Sequence, residues 1–354
     1  MTAPHLMQGG RITACREKVA SRHALRLARA TPAIREDSLR LGAPTLEVIK
    51  HDLAGSEDEE SLGIVFEAVE RACVEISRSL ARVSIDRLTG DEGNINVQGE
   101  KQKKLDVVAN ELMKKALFET GLVAAIATEE EPDVIWAPDE ISGPAFAVAF
   151  DPLDGSSNID CSIPTGTIFS VYKLQDASKA RSSKLNPFLA DPSSAIIGSG
   201  YAMYSSATSL VVSVGQGTHI LSLDPDRSKF VLTSARVQVP PRGPYYSLNE
   251  GRFFDWPDGL KNYINDVKQG NGKWGKKYSS RYVCSLVADV HRTILYGGWA
   301  GNPRPHLRLL FEAAPLSFLV EQAGGKGSDG VGRILSTAPH ELHQRLPVFI
   351  GSSE

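Results

Sequence analysis

The segment 151–158, of sequence DPLDGSSN, holds the residue types most able to do chemistry in this chain. Asp151 and Asp154 stand three positions apart, directly after the apolar run 145–150. Carboxylates at the end of a buried strand cost free energy unless they bind a cation, and oxygen ligands suit Mg²⁺ or Mn²⁺. The Gly-Ser-Ser that follows can turn successive backbone N–H groups toward an anion. We predict a metal site beside a phosphate cradle, with an Asp-Gly turn and helix-capping residues as the alternative.

Two more acidic elements occupy similar positions. Glu129 and Glu130 also follow an apolar run, 121–127. Adjacent acids commonly form a solvated face, which is the alternative here, but their place at a strand end repeats that of Asp151. Glu312 falls between an apolar strand-like run and an apolar helix. We therefore expect Glu312 to be partly buried and to take a metal or phosphate role.

Glu100 and Asp106 form another acidic element, on either side of three lysines. A charged helix start is an equally good interpretation of this stretch. Taken together, the separated acidic elements fit a multi-metal phosphoesterase centre. In such a centre two ions polarise the phosphoryl oxygens, generate hydroxide from bound water and neutralise the leaving alkoxide.

The spacing of apolar residues predicts the elements that must position these acids. Predicted helices, from apolar residues at three- and four-residue steps, cover 61–83 and 105–118. A third helix is predicted over 313–323, because Pro315 suits its first turn and Gly324 and Gly325 suit its end. Predicted strands, from short apolar runs, cover 121–127, 145–150, 167–174, 210–214, 230–233, 282–287 and 307–311. A polar loop is expected at 179–194, and three prolines within 237–244 mark a domain boundary. Short strands interspersed with longer helices indicate an α/β or α+β layered fold.

The charge of the chain is unevenly distributed. The 354 residues carry a net charge of −3, but residues 1–35 hold seven basic residues and one acidic residue, which leaves −9 for the rest. A chain at −9 should repel phosphate backbones, so we expect no nucleic-acid partner. The basic leader, residues 1–43, is typical of a transit peptide, with a disordered tail as the alternative. We expect an N-terminal α+β domain over 44–238 and a C-terminal α/β domain over 239–354.

Composition excludes other classes of protein. No apolar run approaches the roughly 20 residues that a membrane-spanning helix needs, so we expect no membrane partner. Four cysteines in a chain of 354 residues are too few for a disulfide scaffold. The apolar content of 42% is too high for a disordered chain.

Segments 151–160 and 165–169 together resemble the signature of the fructose-1,6-bisphosphatase family, which belongs to the inositol monophosphatase superfamily. Further segments resemble the family in the same order, namely 102–106, 246–251, 281–282, 288–293, 307–312, 322–325 and 343–345. The resemblance covers residues 46–354. It implies an αβαβα sandwich and Mg²⁺-dependent hydrolysis of the 1-phosphate of fructose 1,6-bisphosphate, as in gluconeogenesis, the Calvin cycle and sucrose and starch synthesis. It also implies two or three Mg²⁺ ions per subunit, with Mn²⁺ as a substitute, and a homotetramer or homodimer.

The resemblance assigns a role to each part of the site. The implied metal ligands are the side chains of Glu129, Asp151, Asp154 and Glu312 and the carbonyl of Leu153. The acids that orient the attacking water are Glu130, Glu100 and Asp106, although the family has Asp where Glu100 stands. The N–H groups around the 1-phosphate are those of Gly155, Ser156 and Ser157. The contacts to the 6-phosphate and the sugar are Asn249, Arg281, Tyr282, Ser285 and Leu286, with the arginine supplied by a neighbouring subunit.

The far pocket departs from the family pattern. Two tyrosines and a lysine of the family are replaced by Arg252, Asn302 and His306. A lost lysine weakens the charge at a phosphate site, whereas arginine can bind phosphate in a bidentate way. The expected substitutes are Arg252, Arg304, His306 and Arg308. The altered pocket leaves a sedoheptulose-1,7-bisphosphatase, or a phosphatase for both sugars, as the nearest alternative, and a non-catalytic sugar-phosphate sensor as the alternative from a different class.

Two features bear on regulation and location. The segments 302–306 and 324–330 are similar to a redox-insensitive chloroplast branch of the family. The loop 175–194 holds no cysteine, so we expect no thioredoxin switch there. The cysteines outside the leader are interpreted as small buried residues. The expected location is the chloroplast stroma, with the cytoplasm as the alternative.

Overall fold

The elements follow the apolar pattern of the sequence. The computed structural model describes residues 39–95, 101–182, 186–189 and 195–354. The α-helices are α1 (Thr45–Asp52), α2 (Glu59–Ala81), α3 (Lys104–Phe118), α4 (Ala177–Ser182), α5 (Asp258–Gln269), α6 (Leu286–Tyr296) and α7 (Ala314–Gln322). The strands are β1 (Asp91–Ile95), β2 (Lys101–Lys103), β3 (Val123–Thr128), β4 (Ile135–Trp136), β5 (Ala145–Asp154), β6 (Thr165–Leu174), β7 (Ile196–Tyr204), β8 (Thr208–Ser213), β9 (Thr218–Asp224), β10 (Lys229–Val237), β11 (Tyr245–Ser247), β12 (Ser279–Ser280), β13 (Trp299–Arg308), β14 (Lys326–Ser328) and β15 (Arg345–Gly351). Short 3₁₀ turns cover Ser156–Cys161, Glu250–Asp255 and Ile334–Ser336, and a π-turn covers Leu309–Ala313.

Two sheets carry the site. The larger has eight strands in the order β10-β9-β8-β7-β6-β5-β3-β4, and the smaller has five in the order β12-β11-β13-β15-β14. Within the larger sheet β3 runs parallel to β5, whereas β5 and β6 are antiparallel. Every residue of β3 and β5 is buried, as expected for strands that are covered on both faces.

Helices cover both faces of the larger sheet. In β7, Gly198 lies against Phe66 of α2, whereas the next residue, Ser199, donates a hydrogen bond to the carbonyl of Pro315 in α7 (3.0 Å). α6 and α7 pack between the two sheets, and α5 packs on the outer side of β11. The layers confirm the predicted αβαβα sandwich. None of the helices in the described part of the chain combines the length and apolar character needed to span a bilayer.

A bulge at the end of β5 brings Asp151 and Asp154 to one side of the sheet. Asp151 pairs with Ile168 of β6 and Asp154 pairs with Gly166, so three steps along β5 match two steps along β6. In a regular strand, residues three positions apart point to opposite faces. One extra residue reverses this relation. Because of the bulge, Asp151 and Asp154 point to the same face of the sheet, whereas in a regular strand they would point to opposite faces.

Three of the predicted elements are wrong. The predicted strand 307–311 is a strand only as far as Arg308, where β13 ends, and Leu309–Ala313 form the π-turn. The predicted strand 282–287 is a loop that runs into α6, which begins at Leu286. The helix is favoured there because Asp154 accepts hydrogen bonds from its first N–H groups. The predicted loop 179–194 begins inside α4, and part of it lies outside the described residues. The predicted helices 61–83, 105–118 and 313–323 are confirmed as α2, α3 and α7.

Gly166 lies where β6 meets α6. A Cβ at this position would be 2.7 Å from the carbonyl oxygen of Ala202 and 2.7 Å from Val287 Cγ2. We expect Gly166→Ala to lower the free energy of unfolding by about 1–3 kcal/mol, because a packed core accepts an extra methyl group only by shifting backbone. Urea unfolding followed by circular dichroism measures this loss. Gly259→Ala is the matched control, since nothing lies within 4 Å of its Cβ position, and an equal loss in both variants would contradict the packing explanation.

Candidate active site

Acidic side chains from separate elements meet in one cavity of about 610 Å³. The acids that line it and belong to the predicted site are Asp106, Glu129, Glu130, Asp151, Asp154 and Glu312. β3 and β5 run parallel and end side by side, where the N–H of Glu129 donates to the carbonyl of Phe150 (3.2 Å). Glu312 arrives from the π-turn that follows β13, and Asp106 arrives from the first turn of α3. The tertiary structure therefore brings together acids that lie far apart in the chain.

Asp151, Asp154 and Glu312 form the tightest group. One carboxylate oxygen of each lies within 4.8 Å of the others, and the three residues are 3%, 7% and 5% exposed. Three carboxylates this close and this buried repel one another strongly. Hard divalent cations take carboxylate oxygens as ligands. The donor chemistry and the uncompensated charge of this group therefore fit a divalent metal ion.

Arg308 supplies positive charge at the edge of this group. Its Nη1 lies 2.8 Å from Glu129 Oε1 and 3.9 Å from Glu312 Oε2, and its backbone N–H donates to Glu312 Oε2 (2.6 Å). Arg308 was expected to replace a lost phosphate contact; it does line the cavity, but its guanidinium pairs with the acids. One guanidinium cannot balance the four carboxylates around it when all of them are ionised, so their ionised forms leave an excess of negative charge.

Asp154 is held by the N-terminus of α6. Its Oδ2 accepts hydrogen bonds from Ser285 Oγ (2.9 Å) and the N–H of Val287 (3.0 Å), and its Oδ1 accepts from the N–H of Leu286 (3.4 Å). The Ser285 hydroxyl oxygen also accepts from the N–H of Ala288 (3.3 Å) and so caps the helix. Ser285 and Leu286, expected at the sugar, thus line the cavity and also fix Asp154.

Burial raises the pKa of each acid in the tight group. The pKa of Asp154 rises to about 6, although its hydrogen bonds from Val287 and Ser285 oppose the change. The pKa of Glu312 rises to about 8, because burial and the charge of Glu129 outweigh the nearby Arg308. Burial, followed by the charges of Glu129 and Asp154, raises the pKa of Asp151 well above its ordinary range. A bound cation would favour the ionised form of all three carboxyls.

Asp106 and Glu130 lie beside the tight group. Asp106 accepts a hydrogen bond at Oδ2 from the N–H of Lys103 (2.8 Å), which stabilises the first turn of α3. Burial raises the pKa of Asp106 to about 8, and the charges of Glu130 and Glu129 add to the rise. The two carboxyls therefore form a pair in which one can hold a proton close to neutral pH. Glu100, the third acid of this predicted set, lies outside the described residues.

The turn Gly155, Ser156 and Ser157 lines the cavity directly after Asp154. Gly155 adopts a φ of +73°, which favours glycine, and a Cβ at this position would lie 3.1 Å from the Cβ of Ser285. Glycine is therefore required both by the backbone angle and by the close approach of the loop before α6. The side chain of Ser156 hydrogen-bonds to Asp106, which links this turn to α3.

The predicted contacts at the far end of the cavity divide into two groups. Tyr282, Asn302 and His306 line the cavity, and the side chain of the exposed Asn249 hydrogen-bonds to Tyr282. The predicted contacts that the described cavity wall does not include are Arg252, Arg281, Arg304 and Asn249.

These arginines have other partners on this chain. Arg281 is exposed, its Nη1 donates to the carbonyl of Ser280 (2.9 Å), and its guanidinium carbon lies 5.5 Å from the centroid of the Tyr245 ring. Arg252 is exposed and pairs with Asp255 (3.6 Å). The backbone N–H of Arg304 donates to Asn302 Oδ1 (3.1 Å). Within one described chain, the far end of the cavity is therefore poor in cationic side chains.

The sequence did not predict seven of the residues that line the cavity. Four of them carry a side chain with a nitrogen, oxygen or sulfur atom, namely Lys103, Ser247, Cys284 and Asp289, and the others are Ala300, Gly301 and Leu307. Asp289 is buried in α6, where its Oδ2 accepts from the N–H of Val283 (3.3 Å) and its Oδ1 pairs with Arg292. Burial raises the pKa of Asp289 to about 6. The sequence could have predicted this residue as a buried acid, because Asp289 stands among apolar residues in 286–290.

The interpretation of the cysteines needs correction. Cys73 is buried as predicted, but Cys161 and Cys284 are exposed. Cys284 lines the cavity, and Cys161 is the last residue of the 3₁₀ turn that follows Gly155. Cys284 has a φ of +63°, and its sulfur accepts a hydrogen bond from the hydroxyl of Tyr282 (3.2 Å).

The chain matches two family models that together span its described elements. Residues 45–235 match the N-terminal domain of fructose-1,6-bisphosphatase and residues 239–354 match the C-terminal domain. The chain therefore belongs to the fructose-1,6-bisphosphatase family. The family is metal-dependent, and the acidic group Asp151, Asp154 and Glu312 could bind a metal ion.

Named relatives and a solved structure agree with this membership. The chloroplastic fructose-1,6-bisphosphatase of Oryza sativa subsp. indica is 45% identical over 341 residues, which are 92% of this chain and 83% of that protein. The chloroplastic enzyme of Spinacia oleracea is 45% identical over 325 residues, which are 87% of this chain and 78% of that protein. The crystal structure of Leishmania major fructose-1,6-bisphosphatase in holo form has a TM-score of 0.80 at 33% identity, and covers 88% of this chain and 96% of that one.

The raised pKa values predict how stability depends on pH in the metal-free protein. The unfolded carboxyls titrate near 4, whereas Asp154 and Glu312 titrate at about 6 and about 8 in the fold. Between these values the folded state binds more protons, so the free energy of unfolding should fall as pH rises from about 5 to about 8, by on the order of 5 kcal/mol. Urea unfolding in chelator measures this slope. Mg²⁺ should flatten it, and a slope of the opposite sign would contradict the burial of these carboxyls.

Proposed function

We propose that this protein hydrolyses the 1-phosphate of fructose 1,6-bisphosphate to fructose 6-phosphate and phosphate in a Mg²⁺-dependent reaction. The observation that carries the proposal is the convergence of seven acidic side chains on one cavity, next to the turn at Gly155. Family membership supports the substrate class, because the family acts on a sugar bisphosphate. The volume of about 610 Å³ lies in the range of small-molecule sites.

The acids around Arg308 are the proposed holders of the metal. The set is Glu129, Asp151, Asp154, Glu312 and the carbonyl of Leu153, with two or three Mg²⁺ ions per subunit and Mn²⁺ as a substitute. Bound divalent cations supply positive charge that polarises phosphoryl oxygens and lowers the pKa of water. The excess of negative charge that Arg308 leaves supports this assignment.

Glu130 is the proposed base that takes a proton from the attacking water. Asp106 assists it, because a carboxyl with a pKa of about 8 can hold and share a proton near neutral pH. Glu100 is kept as a further assisting acid on the family resemblance alone.

The backbone N–H groups of Gly155, Ser156 and Ser157 are proposed to bind the 1-phosphate. Fixed donors of this kind stabilise the charge that develops as water attacks in line and the sugar oxygen leaves. Arg308 adds positive charge to the cavity wall. No covalent intermediate is required by this arrangement.

The opposite end of the cavity is proposed to bind the sugar and the 6-phosphate. The proposed contacts are Asn249, Arg281, Tyr282, Ser285 and Leu286, with Arg252, Arg304 and His306 as additional sources of positive charge. Because Arg281 is exposed on its own chain, we propose that it reaches the cavity of a neighbouring subunit in a homodimer or homotetramer.

The location proposed for the protein is the chloroplast stroma. Relatives named as chloroplastic enzymes and the basic composition of the leader, residues 1–43, support this proposal over the cytoplasm.

Asp154 offers the most direct test of the metal site. We expect Asp154→Asn to lower kcat with Mg²⁺ by on the order of 10³-fold, because the amide removes a ligand charge and places an N–H₂ group against helix donors. Phosphate release measures the loss, and circular dichroism confirms the fold. The control is Asp226→Asn, an exposed acid in the turn between β9 and β10, which should keep full activity. Near-normal turnover in Asp154→Asn would refute the assignment.

His306 tests the second candidate, hydrolysis of sedoheptulose 1,7-bisphosphate. Asn302 and His306 line the far end of the cavity, and neither carries a permanent positive charge. A pocket without a fixed charge at this end is expected to discriminate less between the two sugar bisphosphates. We expect His306→Lys to lower the KM for fructose 1,6-bisphosphate several-fold with little change in kcat, because a lysine adds a point charge for the distal phosphate. Steady-state kinetics with both sugars measure this. If the variant has unchanged KM values for both sugars, the distal phosphate does not bind next to His306.

A further inference from the structure

The segment 340–344, directly before β15, lies between two elements that carry acids of the site. On one side, His343 Nε2 lies 2.9 Å from the carbonyl oxygen of Glu131. Because a carbonyl oxygen only accepts, the Nε2 atom carries the hydrogen and donates it. Glu131 directly follows Glu129 and Glu130, so this bond holds the backbone of their loop.

On its other side the same segment holds the π-turn. The ring of His343 packs against Phe311, with 5.1 Å between the ring centroids. The carbonyl of Gln344 accepts a hydrogen bond from the N–H of Leu309 (2.8 Å). Phe311 is fully buried and directly precedes Glu312. His343 therefore contacts both acid-bearing elements at once.

The electrostatic environment suits such a role. Burial lowers the pKa of His343, so its ring is neutral near neutral pH. A neutral ring can brace the site without adding a positive charge that would oppose a cation.

We propose that His343 is a positioning residue that sets the separation between the Glu129–Glu130 loop and Glu312, and thereby the affinity of the site for a divalent cation. The inference rests on the proposed function, since it takes these acids as metal ligands. Carboxylates on two elements can share one ion only while both backbones are held in place. Outer contacts that orient metal ligands commonly change metal affinity by roughly 10- to 100-fold.

Substitutions can separate the hydrogen bond from ring packing. His343→Phe keeps a ring against Phe311 but lacks an N–H donor, and His343→Leu lacks both. His343→Gln keeps a donor without the ring. The matched control is His340→Phe, which changes an exposed histidine three positions earlier. Calorimetric titration of each full chain with Mn²⁺, without substrate, gives a readout besides activity.

We expect His343→Phe and His343→Leu to bind Mn²⁺ about tenfold more weakly than the unchanged protein. The Mg²⁺ concentration for half-maximal activity should rise by the same factor, while kcat at saturating Mg²⁺ stays within about twofold. His343→Gln should recover most of the affinity, and His340→Phe should leave it unchanged. Thermal unfolding in chelator identifies the variants that are folded.

Unchanged Mn²⁺ affinity in a folded variant without the donor overturns the inference. An equal loss in His343→Gln also overturns it, because the hydrogen bond would then not be the cause. The unchanged protein separates this inference from the proposed function. If it binds Mn²⁺ but releases no phosphate from fructose 1,6-bisphosphate, the proposed function fails, and calorimetry still decides the role of His343.

Discussion

Repulsion between buried carboxylates is the constraint on which the rest of the structure depends. Asp151, Asp154 and Glu312 place oxygens within 4.8 Å of one another, at 7% exposure or less. Burial opposes their ionisation and so raises the pKa of each one. When the acids are ionised, such an arrangement is stable only if a cation offsets the charge and the backbone prevents the acids from moving apart. Arg308 supplies part of that charge, and the metal site that we propose would supply the remainder.

The surrounding fold resists that repulsion at each element. The β5 bulge is fixed by Thr167, whose hydroxyl donates to the carbonyl of Pro152 (2.8 Å). Asp154 is bound by the N-terminus of α6, and Glu312 is bound by the backbone of Arg308. The Glu129–Glu130 loop is held through Glu131 by His343. The positions of the acids are therefore fixed by neutral hydrogen-bond donors that lie behind them. These donors carry no net charge, so they do not take over the charge-balancing role of a cation.

Local patterns predicted much of this. The acids at the ends of β3 and β5 were recognisable because buried apolar runs stop at them. α2 and α3 followed from apolar periodicity, and α7 followed from Pro315 at its start and the glycines after its end. The strand predicted over 282–287 failed for a physical reason. Its apolar residues satisfy either a strand or a helix, and hydrogen bonds to Asp154, more than a hundred positions earlier, favour the helix. Asp289 was missed because it lies just beyond this stretch, where a strand was expected to end and the helix α6 forms instead.

The sequence by itself determined which residues carry charge, where apolar strands end in carboxylates, and which family motifs are present. Those properties are local, since each depends on residue type and on neighbours a few positions away. Only the tertiary structure decided that Asp151 and Asp154 share a face, that Arg308 pairs with Glu129, and that His343 braces two acid-bearing elements. These relations join residues through strand register and long-range packing. They depend on backbone positions that chain spacing does not encode, because one bulge reverses the face of every residue beyond it.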